Sequence, residues 1–347
     1  MSTKRNGLDA DPQKRGRAAA GLTMTAVERN TYGSADVLEV RTVERPTAAG
    51  DDVVVAVSAA GLDRGAWHVM TGRPYLMRIA GFGLRRPKNP GLGSELAGVV
   101  EAVGPDVAGL APGDAVFGVG RSSFADYALA PSSKLARMPA NLTYVQAAAV
   151  PVSGLTALQA LRDKGRIQTG QNVLIIGASG GVGTFAVQIA KTFGAEVTGV
   201  CSTAKIDLVR SLGADHVIDY TAGDITKGDR RYDLVLDIGG NRSLAALRRM
   251  LTATGTLVIV GGEGGGRWFG IGRQLRAIAL SPFVRQRLGT LIASENNKDL
   301  DALRTMIEEG AVTPVIDRAC SLREIPDAMR DLERGRVRGK VVAAIRP

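Results

Sequence analysis

Apolar residues follow two different rhythms along this chain, and the switch between them near residue 145 sets the expected architecture. From Met24 to about Val145, short alternating or apolar runs such as 53–59, 95–103 and 115–119 are separated by turns at Ala49-Gly50-Asp51, Gly104-Pro105-Asp106 and Pro112-Gly113-Asp114. Period-two runs between such turns predict a mostly antiparallel β unit. After Thr143 helical spacing sets in through Leu155, Leu158 and Leu161, and apolar strands then alternate with amphipathic helices. The pattern predicts strands at 172–177, 196–201, 216–218, 234–238, 256–260 and 287–292, with helices at 182–193, 204–212, 243–251 and 299–309. Buried apolar strands alternating with helices predict a doubly wound parallel sheet. From residue 312 the chain returns to mixed character and would rejoin the first unit. The expected fold class is α/β: a Rossmann-type parallel sheet over residues 146–312 and a β domain from residues 24–145 and 313–347, preceded by a disordered polar tail at 1–23.

Composition narrows this further. A chain of 347 residues suits two domains, and 45% apolar with 22% charged residues is a globular balance. Cys201 and Cys320 can build neither a disulfide framework nor a four-cysteine zinc site, which predicts a reducing, cytoplasmic setting. The uncharged run 138–161 contains Pro139, Asn141, Gln146, Pro151, Ser153 and Gly154, too polar and broken for a lipid-facing span. It reads as a buried interdomain helix start, and no membrane partner is expected. The net charge of +10 is spread along the chain, with local density at Lys4, Arg5, Lys14, Arg15 and Arg17, at Arg85-Arg86-Pro87-Lys88, and near 330–340. No basic stripe is interleaved with aromatics, so a nucleic-acid partner is not expected.

Strand 172–177 runs directly into Ala178-Ser179-Gly180-Gly181-Val182-Gly183 and then a helix. Strand, small-residue turn and helix in that order suit a dinucleotide pyrophosphate. The backbone can approach the anion, and free N–H groups at the helix start attract it. Ala178 stands where the commonest fingerprint has its first glycine. NAD-preferring sites place a carboxylate at the end of the following strand for the ribose 2′-hydroxyl. Here residues 196–201 end without one, followed by Ser202, Thr203 and Lys205. Hydroxyls and an ammonium suit a 2′-phosphate that a carboxylate would repel, so the expected cofactor is NADPH.

Four separated segments now point to a family. They are Gly-Ser-Glu-Leu-Ala-Gly at 93–98, Pro-Val-Ser-Gly-Leu-Thr-Ala-Leu at 151–158, Gly-Ala-Ser-Gly-Gly-Val-Gly-Thr-Phe-Ala at 177–186 and Leu-Gly-Ala-Asp-His-Val-Ile-Asp-Tyr at 212–220. The chain resembles the medium-chain dehydrogenase/reductase superfamily, in its zinc-free quinone oxidoreductase (ζ-crystallin-like) branch, from about Met24 to the C-terminus. The resemblance implies a GroES-like catalytic domain from both chain ends with a Rossmann domain inserted. It puts the turn Ser179, Gly180, Gly181, Val182 and Gly183 at the pyrophosphate. It puts Ser202, Lys205 and Tyr220 around the 2′-phosphate, Thr156 near the nicotinamide, and Arg338-Gly339-Lys340 against the cofactor. Zinc-dependent relatives take a Cys and a His where this chain has Asp63 and Ser94. With only His68 nearby and no thiolate, no metal ligand set is expected.

Hydride transfer without a Lewis acid favours an acceptor that spreads the incoming charge onto oxygen, a quinone or an α,β-unsaturated carbonyl. Tyr75 stands where relatives place an aromatic at the cleft and is the candidate catalytic donor. Asp63, in place of the branch's common Asn, and His68, a proton relay, are the candidate acceptor contacts. The Gly- and Arg-rich insert 78–90 is placed to line or cover the cleft. Two other readings use the same cofactor site: a metal-free NADP-dependent alcohol or aldehyde oxidoreductase, and an NADPH-binding protein with a nucleic-acid or protein-binding role. A homodimer is expected through strand 287–294 at the edge of the parallel sheet.

Overall fold

The computed structural model describes residues 22–240, 242–261 and 272–346. Fifteen strands and nine α-helices are present among them. The strands are β1 Thr23–Glu28, β2 Glu39–Glu44, β3 Asp52–Leu62, β4 Glu95–Val103, β5 Ala115–Val119, β6 Tyr127–Pro131, β7 Leu135–Arg137, β8 Asn172–Ile176, β9 Glu196–Cys201, β10 His216–Asp219, β11 Tyr232–Asp237, β12 Leu251–Ile259, β13 Arg287–Thr290, β14 Ile316–Cys320 and β15 Lys340–Ala344. The helices are α1 Arg64–Thr71, α2 Tyr144–Ala148, α3 Pro151–Gln159, α4 Gly181–Thr192, α5 Ile206–Ser211, α6 Leu244–Arg249, α7 Gly272–Leu280, α8 Asn297–Glu308 and α9 Ile325–Glu333.

Two large sheets carry the architecture. The first runs β14-β15-β3-β4-β5-β7, with β6 also on β3; its pairs are antiparallel apart from β14 beside β15. The C-terminal strands thus complete the sheet begun by the N-terminal ones, as the return to mixed character predicts. The second is wholly parallel, ordered β10-β9-β8-β11-β12-β13. Taken in chain order its strands read 3-2-1-4-5-6, the doubly wound arrangement, so a crevice opens between β8 and β11 at their carboxyl ends. Each sheet has its own core. Val53, Val55, Val57, Leu96 and Phe124 fill the first, and Leu158, Leu161, Phe185, Val187 and Ile189 cover one face of the second.

Several boundaries move. The predicted tail reaches two residues too far, because Thr23 already pairs with Glu44 and Leu22 accepts the Arg45 amide at 2.8 Å; residues 1–21 lie outside the described residues. The helix expected over 243–251 stops at Arg249, since Leu251 is claimed by parallel pairing with Tyr232. The edge strand ends at Thr290, short of 292. The uncharged run 138–161 folds as α2, α3 and their flanks, with Leu155, Leu158 and Leu161 buried. No helix among the described residues is long and apolar enough to cross a membrane.

Candidate dinucleotide and acceptor site

The turn from β8 to α4 is built on close approach. A Cβ on Gly183 would lie 2.1 Å from the Gly177 carbonyl oxygen, so only glycine lets α4 pack on the end of β8. Gly180, the N-cap, is the reverse case, with nothing nearer than 3.5 Å to a Cβ there. That open face beside the unpaired first amides of a twelve-residue helix fits a pyrophosphate. The other domain closes on the same turn. The Gly339 amide donates to the Ser179 carbonyl at 2.9 Å, and Gly180 and Gly339 form a parallel bridge. Gly339 has φ 70°, and a Cβ there would sit 2.4 Å from the Val315 carbonyl oxygen. The structure therefore brings 338–340 against 179–183.

The rim at the end of β9 also assembles. The Tyr220 amide donates to the Cys201 carbonyl at 3.1 Å, which sets Tyr220 beside Ser202. Lys205 donates to the carbonyls of Gly335 (3.2 Å) and Val337 (2.7 Å). Burial, and then the charge of Arg338, hold its pKa below the ordinary lysine value, while Asp317 acts in the opposite sense. One expectation needs correction, because this rim is not free of acid. Asp219 lies beside Cys201 on the neighbouring strand and accepts from the Thr203 and Thr221 hydroxyls and the Thr221 amide. Those hydrogen bonds hold its carboxyl below the usual range. Reading along β9 alone missed it, because Asp219 arrives from β10.

Toward the acceptor side the predicted residues are already engaged. Asp63 caps α1, accepting from the Ala66 amide at 2.7 Å through Oδ1, while the Ser94 hydroxyl donates to Oδ2 at 3.3 Å. The structure thus gives Asp63 a helix cap, and each carboxylate oxygen, with one hydrogen bond, keeps a further lone pair. His68 Nδ1 lies 2.8 Å from the Arg73 carbonyl, bracing the turn after α1. The half-buried Tyr75 ring carries the Arg78 guanidinium 4.6 Å from its centre. Thr156 donates to the Val152 carbonyl at 2.6 Å, one turn back along α3.

Two buried carboxylates were not foreseen as site elements. Glu95 and Lys340 form an ion pair with both side chains buried, and Glu95 also accepts the Val152 amide at 2.9 Å. Burial raises the Glu95 carboxyl to about 7, against the pull of Lys340. Lys340, expected at the cofactor, thus directs its ammonium to Glu95, and its segment meets the turn through the Gly339 backbone. Asp237, at the crevice end of β11, is raised by burial to about 6. Arg273 Nη1 lies 2.7 Å from its Oδ2, and the same guanidinium donates to the carbonyls of Arg242 and Gly261. A carboxylate at the end of an apolar strand was the available signal for Asp237; its cation lies on α7, which showed no clear sequence pattern.

Two family models match: the alcohol dehydrogenase GroES-like domain over residues 49–140 and the zinc-binding dehydrogenase over residues 212–342. The mitochondrial NAD(P)H oxidoreductase RTN4IP1 of Mus musculus is 35% identical over 279 residues, covering 73% of this chain and 70% of that protein. The chloroplast envelope quinone oxidoreductase homolog of Arabidopsis thaliana is 31% identical over 339 residues, covering 93% and 99% respectively. The chain belongs to the medium-chain dehydrogenase/reductase superfamily. Its place is the quinone oxidoreductase branch: the quinone oxidoreductase of Coxiella burnetii superposes with a TM-score of 0.83 at 27% identity, over 94% of this chain and 100% of that one. The GroES-like and Rossmann architecture of this superfamily is the one described above, and members of the superfamily bind NAD(P)H. This medium-chain chain is accordingly an oxidoreductase.

Proposed function

We propose that this oxidoreductase uses NADPH, without a catalytic zinc, to reduce a quinone or an α,β-unsaturated carbonyl. The observation that carries the cofactor preference is the convergence of Lys205 and Arg338 from two domains at the end of β9. Lys205 reaches the carbonyl of Val337, the residue before Arg338, so the two cations share one rim, and an anion such as a 2′-phosphate would neutralise both. Asp219 stands against this, but its oxygens are occupied by Thr203 and Thr221.

Bound NADPH supplies the hydride. Residues 179–183 hold the pyrophosphate through backbone amides, Ser202, Lys205, Tyr220 and Arg338 surround the 2′-phosphate, and Thr156 faces the nicotinamide end. Tyr75 donates a hydrogen bond to the acceptor oxygen on which charge collects, and His68 relays the proton. Zinc independence rests on donor chemistry. Asp63 and Ser94, which replace the relatives' Cys and His, offer neither thiolate nor imidazole, and Asp63 already serves as a helix cap. An acceptor that spreads its own charge fits such a site better than a simple ketone.

Initial rates with NADPH and NADH against a water-soluble benzoquinone, an alkenal and a simple aldehyde test the reading. A preference of about tenfold or more for NADPH is expected, the energy of one good charge-assisted contact. A preference for NADH sinks the cofactor assignment, and turnover of the aldehyde alone moves the protein to the alcohol/aldehyde reading. We further place the protein in a reducing cytoplasm, where the free, buried Cys201 and Cys320 stay reduced.

The proposed assembly is a homodimer through β13. Among the described residues that strand pairs only with β12 and ends the parallel sheet, and Phe283 and Ile292 beside it are 84% and 91% exposed. Pairing across a two-fold axis would cover both the strand edge and these side chains. Sedimentation showing a monomer at micromolar concentration would rule it out.

A further inference from the structure

We infer that the insert between α1 and β4 docks this protein on an anionic membrane surface. Between Asp63 and Glu95 the chain contains no Asp or Glu, yet it holds Arg64, Arg73, Arg78, Arg85, Arg86 and Lys88. The structure divides these cations by task. Arg78 is internal: it donates to the carbonyls of Gly72 (2.8 Å) and Thr71 (3.1 Å) and lies 4.3 Å over the Tyr32 ring. The Tyr32 hydroxyl lies 2.8 Å from the carbonyls of both Phe82 and Gly83, its one proton shared between them, and the Lys88 amide closes the loop on the Phe82 carbonyl at 2.9 Å. Arg73, Arg85, Arg86 and Lys88 remain exposed.

What this braced loop displays is apolar. Ile79 is 71% exposed, Leu84 66% and Phe82 44%. Large hydrophobic side chains held in water on a tied backbone mark a surface that meets something. The cations among them say what it is. Aliphatic side chains gain by entering the acyl boundary, and adjacent cations gain from anionic headgroups; each signal alone is weak, and together they hold a protein at the interface. A nucleic acid would answer the cations but leave Ile79 and Leu84 in water. Lack of a spanning helix among the described residues does not bear on docking of this kind. The docking stands apart from the acceptor chemistry. Joined to the quinone reading, on which this clause alone rests, it would bring a lipid-dissolved acceptor to the side of the molecule that carries Tyr75.

Vesicle flotation of the full chain tests this without turnover. The probes are phosphatidylcholine vesicles with and without about one third phosphatidylserine. The protein should float with the anionic vesicles and remain largely unbound with phosphatidylcholine alone. Replacing both Arg85→Gln and Arg86→Gln should weaken binding roughly 25-fold, about fivefold for each cation. The pair Ile79→Ser and Leu84→Ser should weaken it about tenfold or more, with circular dichroism and the thermal midpoint unchanged to show an intact fold. No flotation of the wild type, or equal flotation of the aliphatic variant, overturns the proposal. So does binding of duplex DNA that the arginine variant loses and the aliphatic variant keeps, if anionic vesicles fail to compete for it.

Discussion

The two ends of the proposed cofactor crevice are built by different means. At the phosphate end the chain acts through its backbone: Gly183 is fixed by a contact no other residue allows, and the Gly339 amide ties the second domain to Ser179. At the acceptor end it acts through side chains that already have partners, Asp63 on the Ala66 amide and His68 on the Arg73 carbonyl. Between the ends lies the buried Glu95–Lys340 pair. Backbone recognition leaves a rigid motif in a sequence, whereas engaged side chains reveal their use only when their partners are seen.

The largest effect should come from the pair between the two ends. Lys340→Met leaves the Glu95 carboxylate buried without its cation and should cost about 3–5 kcal/mol of stability, whereas the double variant Glu95→Gln/Lys340→Met recovers most of it. Urea denaturation checks both, and additive losses would show that Lys340 serves something other than Glu95. Next comes the phosphate end. Gly183→Ala sets a Cβ against a backbone oxygen, so a loss of about 3 kcal/mol is expected together with lost NADPH binding, read by fluorescence titration. A variant that binds normally would show that the turn is looser than described.

The rim sharpens the comparison further, because there the proposed phosphate recognition is by side chains. Lys205→Ala or Arg338→Ala should each lower kcat/KM for NADPH about tenfold while leaving NADH nearly unchanged. Asp219→Asn should shift the ratio a few-fold the other way, since a rim carboxylate disfavours the 2′-phosphate. Equal losses with both cofactors would place the two cations outside the 2′-phosphate contact.

The smallest effect is on pH dependence. Glu95 and Asp237 have folded pKa values above their ordinary ones, so the folded state binds more protons than the unfolded chain. Their contribution to stability is whole below the ordinary carboxylate range and is lost as pH rises through about 6 for Asp237 and about 7 for Glu95. Asp36, Asp114, Asp215, Asp219 and Glu324 are lowered, and they lose their contribution only in more acidic solution. Thermal midpoints should therefore fall from about pH 4 to about pH 7, between the ordinary and the raised values of these two groups. Glu95→Gln should flatten that fall; an unchanged slope would mean that Glu95 is ionised throughout.

Much of this molecule was legible before its structure. The apolar strands of the parallel sheet and the 178–183 turn stood out because a strand buried on both faces and a tight helix start each admit few residue types. Other parts were illegible for equally physical reasons. α7 carries a weak apolar pattern, exposing Leu275 and Ile278, so its Arg273 could not be assigned to Asp237. Asp219 escaped because a rim read along one strand omits its neighbour. The exposed apolar side chains at 79–84 resemble core in a linear pattern, and only the fold shows them facing water.

The order of residues by itself determined the two-domain plan, the dinucleotide turn and the absence of the relatives' metal-binding Cys and His at 63 and 94, because local chemistry decides each of these. Only the tertiary structure decided which charges meet. Lys340 found Glu95, Lys205 found the carbonyls of Gly335 and Val337, and Asp63 caps a helix. The cost of leaving a charge unpaired depends on burial, and burial is settled when the two domains close on each other.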